Sequence, residues 1–335
     1  MAGNCFNRLV LASPHRLAMP IAVYPGLALT GAKVRDVVTN PQAQFDAQVV
    51  LHQRHHTQFV LSAMDLSAEA EAFGCTIQLT DTEIPTVIGR LVTTLEQAQK
   101  LCVPQPGDRR TAVYLETVRR LAGLPEKPLV FGGCIGPFSL AARLVGVSEA
   151  MEMTVTEPDL MHALLEKCTT FLTAYLRAFK RAGADGAIMA EPAAGLLSPA
   201  SLLRLSSAYI KSIGTAMSDS HFALILHNCA AKLVHLPAVL ESGLRTFHFG
   251  APMDVAAALS RVPADTVLCG NLDPTGVFVQ SSPAEITTEA LALLQATARR
   301  PNFVLSSGCD VPPTAPLASL DAFYTALKIT PVPHR

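Results

Sequence analysis

The sequence predicts an α/β protein that folds as a single closed (β/α)8 barrel, or TIM barrel. Eight short apolar segments, each typical of a buried parallel strand, lie along the 335 residues and mostly alternate with helical patterns. No internal repeat or linker separates them, so we expect one domain over residues 1–335. Polar and metal-binding side chains directly follow the strands, where a barrel builds its site. A doubly wound open sheet is the alternative.

The predicted strands are apolar runs that end in Gly, Pro or a polar side chain. In chain order they are residues 20–26, 59–67, 129–133, 186–192, 223–229, 246–250, 266–271 and 302–306. The first ends at a Pro-Gly pair, which favours a turn. Residues 69–91 form an irregular stretch, and the alternating pattern at 75–79 predicts a small hairpin or an excursion over one face.

Helical patterns occupy most of the intervals between these strands. They cover residues 41–57, 110–124, 159–183, 199 to about 217, 283–299 and about 317–328. Ser198 and Pro199 supply an N-cap and a favoured first residue for one of them, and Gly183 ends another. Residues 1 to about 18 are expected to form an N-terminal arm or an opening helix.

The composition indicates a globular protein with reduced cysteines. The formal net charge is -1, so nothing suggests a surface for nucleic acid or for an anionic membrane. We expect no secretion signal, because the N-terminus lacks a charged region followed by an apolar one, and no membrane span, because no apolar run approaches ~18 residues without a charge. Eight cysteines in a long, apolar chain favour free thiols over disulfides, which predicts a cytoplasmic location.

The candidate site is centred on residues 223–229, where four apolar residues lead into His227-Asn228-Cys229. Side chains two residues apart on a strand point to the same side, so His227 and Cys229 can bind one ion. Cys309 ends another apolar segment after Gly308, which allows a sharp turn, and it is the best third ligand. One imidazole and two thiolates form a zinc site with an open position. Packing of a buried His and Cys is the alternative.

This ligand set predicts a particular chemistry. Two thiolates neutralise Zn²⁺, and a substrate thiol bound at the open position would lose its proton while it stays nucleophilic. Alkyl transfer to sulfur is therefore favoured over water activation, for which His and carboxylate ligands are usual. The chain has no compact four-ligand set with Cys-x-x-Cys spacing, so we do not expect a structural zinc.

Several other polar residues follow predicted strands. Glu191 has two open interpretations: a fourth, displaceable zinc ligand or base for the incoming thiol, or a cap on a neighbouring helix N-terminus. Asp65 is a candidate for substrate binding. Asn271 and Asp273 could hydrogen-bond a polar ligand, although turn formation at Asp273 is the alternative. His248 alternates with two phenylalanines, and we interpret it as a satisfied core histidine.

Five segments resemble the uroporphyrinogen decarboxylase superfamily, within a resemblance that runs from about Pro20 to Tyr324. They are residues 64–74 (MDLSAEAEAFG), 136–141 (GPFSLA), 190–193 (AEPA), 227–229 (HNC) and 307–310 (SGCD). More narrowly, they are similar to the methylcobamide:coenzyme M methyltransferase branch. The His-x-Cys segment and the distant Gly-Cys pair are the specific part of this resemblance, because the decarboxylases do not use zinc. An arginine-rich motif expected of a decarboxylase is replaced by Ala-Val-Tyr-Pro-Gly-Leu at 22–27, which leaves substrate carboxylates without partners there.

The resemblance implies zinc held by His227, Cys229 and Cys309 in a (β/α)8 barrel, and it allows Glu191 as a fourth ligand in the empty enzyme. It also implies that methylcobalamin, carried by a separate corrinoid protein, docks over the barrel mouth. At this mouth we expect Asn271, Asp273 and Asp65, which follow predicted strands, to contact the corrinoid. The methyl group would pass in line to a zinc-bound thiolate and leave Co(I).

We therefore expect a cytoplasmic, zinc-dependent methyltransferase that moves a methyl group from a methylated corrinoid to a thiol such as coenzyme M. The expected partners are a corrinoid protein and a small thiol or methyl donor, with no nucleic acid and no membrane. One alternative is a demethylating enzyme that methylates a Co(I) corrinoid protein from a small donor. Others are a metal-free, decarboxylase-like enzyme and a corrinoid-binding scaffold without catalysis.

Overall fold

A computed structural model describes residues 4–217 and 219–329. Its strands are β1 (Phe59–Leu61), β2 (Thr76–Gln78), β3 (Thr86–Ile88), β4 (Leu129–Ile135), β5 (Gly186–Ala190), β6 (Ala223–Asn228), β7 (Thr246–Phe249), β8 (Val267–Leu272) and β9 (Phe303–Ser307). Seven of them form one curled parallel sheet in the order β1-β4-β5-β6-β7-β8-β9, and β2 pairs with β3 in a separate antiparallel hairpin. The small hairpin expected after the second predicted strand is therefore confirmed.

Helices cover the outside of the sheet and connect its strands. They are α1 (Cys5–Ala12), α2 (Leu27–Thr30), α3 (Val34–Thr39), α4 (Pro41–His55), α5 (Ala68–Phe73), α6 (Leu95–Lys100), α7 (Thr111–Leu121), α8 (Pro137–Val145), α9 (Val147–Thr156), α10 (Pro158–Arg181), α11 (Pro199–Leu202), α12 (Ala208–Ala216), α13 (Leu236–Leu240), α14 (Val255–Leu259), α15 (Pro283–Ala296) and α16 (Leu317–Ile329). None of the helices in this described part of the chain has the length and hydrophobicity needed to cross a bilayer.

The register of the sheet places the candidate site at the carboxyl ends of its strands. Ala190 of β5 is level with His227 of β6, and His227 is level with His248 of β7. Paired residues of parallel strands project to the same side of the sheet. The two histidines therefore lie side by side, next to the end of β5, where Glu191 begins the following loop.

The first predicted strand is corrected by the structure. Ala18 makes one parallel bridge to Leu305, and Met19 N–H donates to Leu305 O at 2.9 Å, but Tyr24–Gly26 is a 3-10 turn. Pro20 has no N–H to extend the ladder, which explains why the strand stops there. The α/β architecture is barrel-like, yet a fully hydrogen-bonded eighth strand is not formed within the described residues.

On the edge of β1 that has no neighbouring strand among the described residues, side chains accept the backbone hydrogen bonds. Gln48 of α4 accepts from Leu61 N–H at 3.4 Å, and Gln44 accepts from Ala63 N–H at 3.1 Å. Both glutamines are buried. Buried backbone donors require a partner, so these two amides satisfy an edge that a fully paired strand would otherwise cover.

Most predicted helices are found, and the helical region after residue 198 consists of α11, a π-helical turn (Leu203–Ser207) and α12. Helices α8 and α9 were not predicted. Helix α8 is nine residues long and follows the apolar strand β4 after Gly136 alone, so strand and helix merge into one short apolar stretch of sequence. It begins directly after β4, and its N-terminus points toward the candidate site.

Candidate metal centre

His227, Cys229 and Cys309 form one cluster in the structure. A ring nitrogen of His227 and the two sulfur atoms all lie within 4.8 Å of one another. His227 lies near the end of β6, Cys229 directly follows that strand, and Cys309 follows β9. Gly250, just past β7, makes room for this loop, because an added Cβ would overlap the backbone of Cys229. The structure thus brings together the three residues predicted as zinc ligands.

The donor atoms of this cluster fit zinc. His227 Nε2 is buried and has no hydrogen-bond partner in the described part of the chain. A buried polar atom without a partner destabilises the folded state unless it binds something, and one imidazole with two thiols is a zinc-type ligand set. Cys229 and Cys309 are both partly exposed, so the cluster can be reached from the surface.

The two thiols influence each other strongly. A hydrogen bond with Cys309 lowers the pKa of Cys229, whereas the same interaction together with burial raises the pKa of Cys309 to about 12. The two sulfur atoms therefore titrate as a coupled pair. Because zinc binds thiolates, metal binding to this pair would release protons from it.

His248 contacts the cluster from behind. Its Nδ1 lies 2.8 Å from His227 Nδ1, and its Nε2 lies 2.8 Å from Ser306 Oγ. The pKa of His248 is well below its usual value because the ring is buried and faces His227. Our interpretation of His248 as a satisfied core histidine is confirmed, but the sequence did not reveal that its partner is a predicted metal ligand.

Glu191 is bound to helix α8 instead of the cluster. Its carboxylate accepts from Phe138 N–H at 2.9 Å and from Ser139 N–H and Oγ at 2.8 and 2.6 Å, and Ser206 Oγ donates to it at 3.2 Å. Gly136 leaves room for this carboxylate, because an added Cβ would overlap it. The structure supports the capping interpretation, and a role as fourth ligand would require these hydrogen bonds to break.

Asp65 is held in a buried ion pair that the sequence did not reveal. Arg110 donates to Asp65, to Glu71 at 2.5 Å and to Ser67 Oγ at 2.9 Å, and Tyr114 donates its hydroxyl hydrogen to Asp65 at 2.7 Å. Asp65 also accepts from Ser67 N–H and Oγ. The carboxylate predicted to bind substrate or cofactor is thus satisfied within the protein.

Asn271 and Asp273, at the end of the seventh predicted strand, also have hydrogen-bond partners within the protein. Asn271 donates to Gly250 O at 3.0 Å and to Met253 O at 2.7 Å, which fixes the loop after β7. Asp273 accepts from Thr275 N–H and Gly276 N–H, both at 2.9 Å, and so forms the turn that was its alternative interpretation. Their roles in cofactor binding stay predictions.

Glu69 is a buried carboxyl group near the carboxyl end of β4. One oxygen accepts from Ile135 N–H at 3.0 Å, while the other has no hydrogen-bond partner among the residues described. Burial raises the pKa of Glu69 to about 8, helped by the nearby charge of Asp65 and opposed by the backbone hydrogen bond and by Arg110. Glu69 is therefore protonated in the folded protein at neutral pH.

We expect Glu69→Gln to flatten the pH dependence of stability. Between the ordinary value of 4.5 and about 8, folded Glu69 keeps a proton that the unfolded chain releases, so stability falls as pH rises through this window. The total loss is on the order of a few kcal/mol. Urea unfolding from pH 5 to 9 measures it, with exposed Glu289→Gln of α15 as the control. Equal slopes for wild type and Glu69→Gln would contradict the buried titration.

Comparison with known proteins adds family and fold information. Residues 15–329 match the family model described as uroporphyrinogen decarboxylase (URO-D). The chain is 28% identical over 298 residues to methylcobamide:CoM methyltransferase MtbA of Methanosarcina acetivorans, and the match covers 86% of each protein. It is 27% identical over 281 residues to methylated-thiol–coenzyme M methyltransferase of Methanosarcina mazei, with 81% of this chain and 72% of that relative covered.

A solved structure described as a methyltransferase from Methanosarcina mazei has the same fold. It superposes with a TM-score of 0.85 at 22% identity, over 96% of both chains. At this identity the likeness concerns the fold alone. The curled parallel sheet and its surrounding helices therefore share the fold of that solved structure.

Proposed function

The chain belongs to the uroporphyrinogen decarboxylase family, and from that premise we propose that it is a corrinoid-dependent methyltransferase whose acceptor is a zinc-activated thiol. The relatives called methylcobamide:CoM and methylated-thiol–coenzyme M methyltransferases support methyl transfer and the corrinoid. The observation that carries the zinc and the thiol is the cluster of one imidazole and two cysteine sulfurs. Its two sulfurs differ from the His and carboxylate ligands that are usual for water activation.

Each member of the cluster has a distinct task in this proposal. His227 is the buried anchor, whereas Cys229 and Cys309 are partly exposed and face the side from which substrates arrive. Bound to these three residues, zinc would lower the pKa of a substrate thiol and hold it as a nucleophile. The methyl group then passes from cobalt to sulfur, and the electron pair of the cobalt–carbon bond stays on cobalt as Co(I).

The partner in this proposal is a separate corrinoid protein that presents its methyl group at the carboxyl ends of the strands. Cys229 and Cys309 both begin loops at this rim, so a methyl donor can approach them without crossing the interior of the sheet. Coenzyme M is the acceptor suggested by the relatives' names, and a small thiol is the class that the cluster supports.

Decarboxylation of a porphyrinogen is the second candidate, because the family takes its name from it. Such a substrate carries several carboxylates that need arginine partners. Residues 22–27 contain no arginine, and buried Arg110 is already bonded to Asp65, Glu71 and Ser67. The arrangement of charges therefore favours methyl transfer over this alternative.

The test is methyl transfer from methylcobalamin to a panel of thiols that includes coenzyme M. We expect methylated thiol by mass spectrometry and Co(I) by absorbance, both lost with a chelator and restored by zinc. Methylation of Co(I) cobalamin from a small donor, without thiol methylation, would favour the demethylating alternative. A zinc-free protein that decarboxylates uroporphyrinogen would refute the proposal, and binding of a corrinoid protein without any turnover would indicate a scaffold.

A further inference from the structure

We propose that His248 and Ser306 form a hydrogen-bond relay that fixes the tautomer of His227 and directs its Nε2 lone pair at the metal cluster. The relay runs from Met19 O through Ser306 Oγ and His248 to His227 Nδ1. This inference rests on the metal site of the proposed function but not on methyl transfer itself. His248 and Ser306 are positioning residues, since they act on the ion through His227.

Ser306, the side chain of the relay farthest from the metal cluster, sets which atom donates and which accepts in each hydrogen bond. Ser306 Oγ lies 2.6 Å from Met19 O, a distance that two oxygen atoms adopt only with a hydrogen between them. A carbonyl oxygen carries no hydrogen, so Ser306 is the donor. Its single hydrogen is then used, and the 2.8 Å contact with His248 Nε2 requires that the imidazole N–H donates to Ser306 Oγ.

The same reasoning continues to the cluster. The ring of His248 is fully buried, and burial disfavours an imidazolium, so the ring carries one hydrogen, which the contact with Ser306 places on Nε2. His248 Nδ1 is therefore an acceptor, and the hydrogen in its 2.8 Å contact with His227 Nδ1 belongs to His227. Neutral His227 then has a bare lone pair on Nε2, the atom a zinc ion would bind.

A separate observation agrees with this assignment. His227 Nε2 is the atom of the ring that is buried without a hydrogen-bond partner in the described chain. A lone pair on that atom, beside two thiols, is suited to a shared cation. The orphaned atom and the direction of the relay therefore point to the same tautomer.

The relay also ties the ligand to the rest of the fold. His227 lies on β6, His248 on β7 and Ser306 on β9, and Met19 belongs to the N-terminal segment that donates to Leu305 O. Three strands and that segment thus hold one ring in place. We expect this fixation to raise metal affinity, because a preoriented ligand loses less freedom on binding.

Two neighbouring serines provide a matched test. Ser306→Ala breaks the relay, whereas Ser307→Ala removes a hydroxyl that accepts from Ile21 N–H at 3.0 Å and lies outside the relay. We expect Ser306→Ala and His248→Leu to weaken zinc binding by about 10- to 100-fold in competition with a chromophoric chelator. Ser307→Ala should bind zinc like wild type, and Ser306→Thr should recover affinity. Thermal unfolding of each variant separates this effect from loss of the fold.

Nitrogen-detected NMR of the metal-free protein reads the tautomer directly. We expect His227 to be protonated on Nδ1 in wild type and to become a mixture of tautomers in Ser306→Ala. Protonation of wild-type His227 on Nε2 would overturn the relay, as would zinc affinities of Ser306→Ala and His248→Leu equal to that of Ser307→Ala. A protein with the expected tautomer that binds no zinc would instead refute the zinc of the proposed function.

Discussion

Cys309→Ala is expected to abolish zinc-dependent methyl transfer and to lower zinc affinity by several orders of magnitude. The variant keeps one imidazole and one thiolate, and two protein ligands do not retain zinc against a chelator. Cys309 is partly exposed, so the loss of its sulfur leaves no large cavity and the fold should persist. Zinc content after dialysis against a chelator and the rate of thiol methylation measure the two effects.

Two further substitutions make this result specific. Cys102 is exposed and lies outside the cluster, so Cys102→Ala should retain both zinc and activity. Glu191→Gln addresses the predicted fourth ligand: because Glu191 caps α8, we expect this variant to lose stability but to keep its zinc affinity. Loss of zinc from Glu191→Gln would restore Glu191 as a ligand, and stoichiometric zinc in Cys309→Ala would refute the proposed site.

The parts of the fold that the sequence predicted well are those with a strong local pattern. Strands β4 to β9 each contain a short apolar run that ends at a polar residue or glycine, and their predicted positions agree within a few residues. The same pattern identified His227, Cys229 and Cys309, because parallel strands bring their carboxyl ends to one rim. The strand topology alone therefore predicted that these three residues, which are remote along the chain, lie together.

The rest depends on contacts that leave no periodic signal. Pro20 ended a predicted strand early, and α8 was missed because it is nine residues long and continues the apolar run of β4. The partners of His248 and Asp65 come from other elements of the fold, and only coordinates reveal them. A polar residue at a strand end was predicted to face a ligand, but Asp65 and Glu191 instead satisfy groups of the protein itself.

A substitution of Arg110 tests whether the carboxylate of Asp65 stabilises the protein or binds a ligand. Arg110→Met is expected to destabilise the protein by about 3–5 kcal/mol, because it leaves the buried carboxylate of Asp65 without its counter-ion. Asp65 is 4% exposed and Arg110 is 7% exposed, so water replaces little of the lost interaction. Urea unfolding at pH 7 gives the change in the free energy of unfolding.

The same substitution at an exposed arginine provides the control. Arg119 pairs with Glu116 on the surface of α7, where solvent screens the charges, so Arg119→Met should leave stability unchanged. Adding Asp65→Asn to Arg110→Met should recover part of the loss, because the uncompensated charge is then gone, and the double-mutant cycle gives the coupling between the two side chains. If Arg110→Met were as stable as Arg119→Met, the ion pair would not hold Asp65, and its predicted role in binding a substrate or corrinoid would be the better explanation of a carboxylate at this strand end.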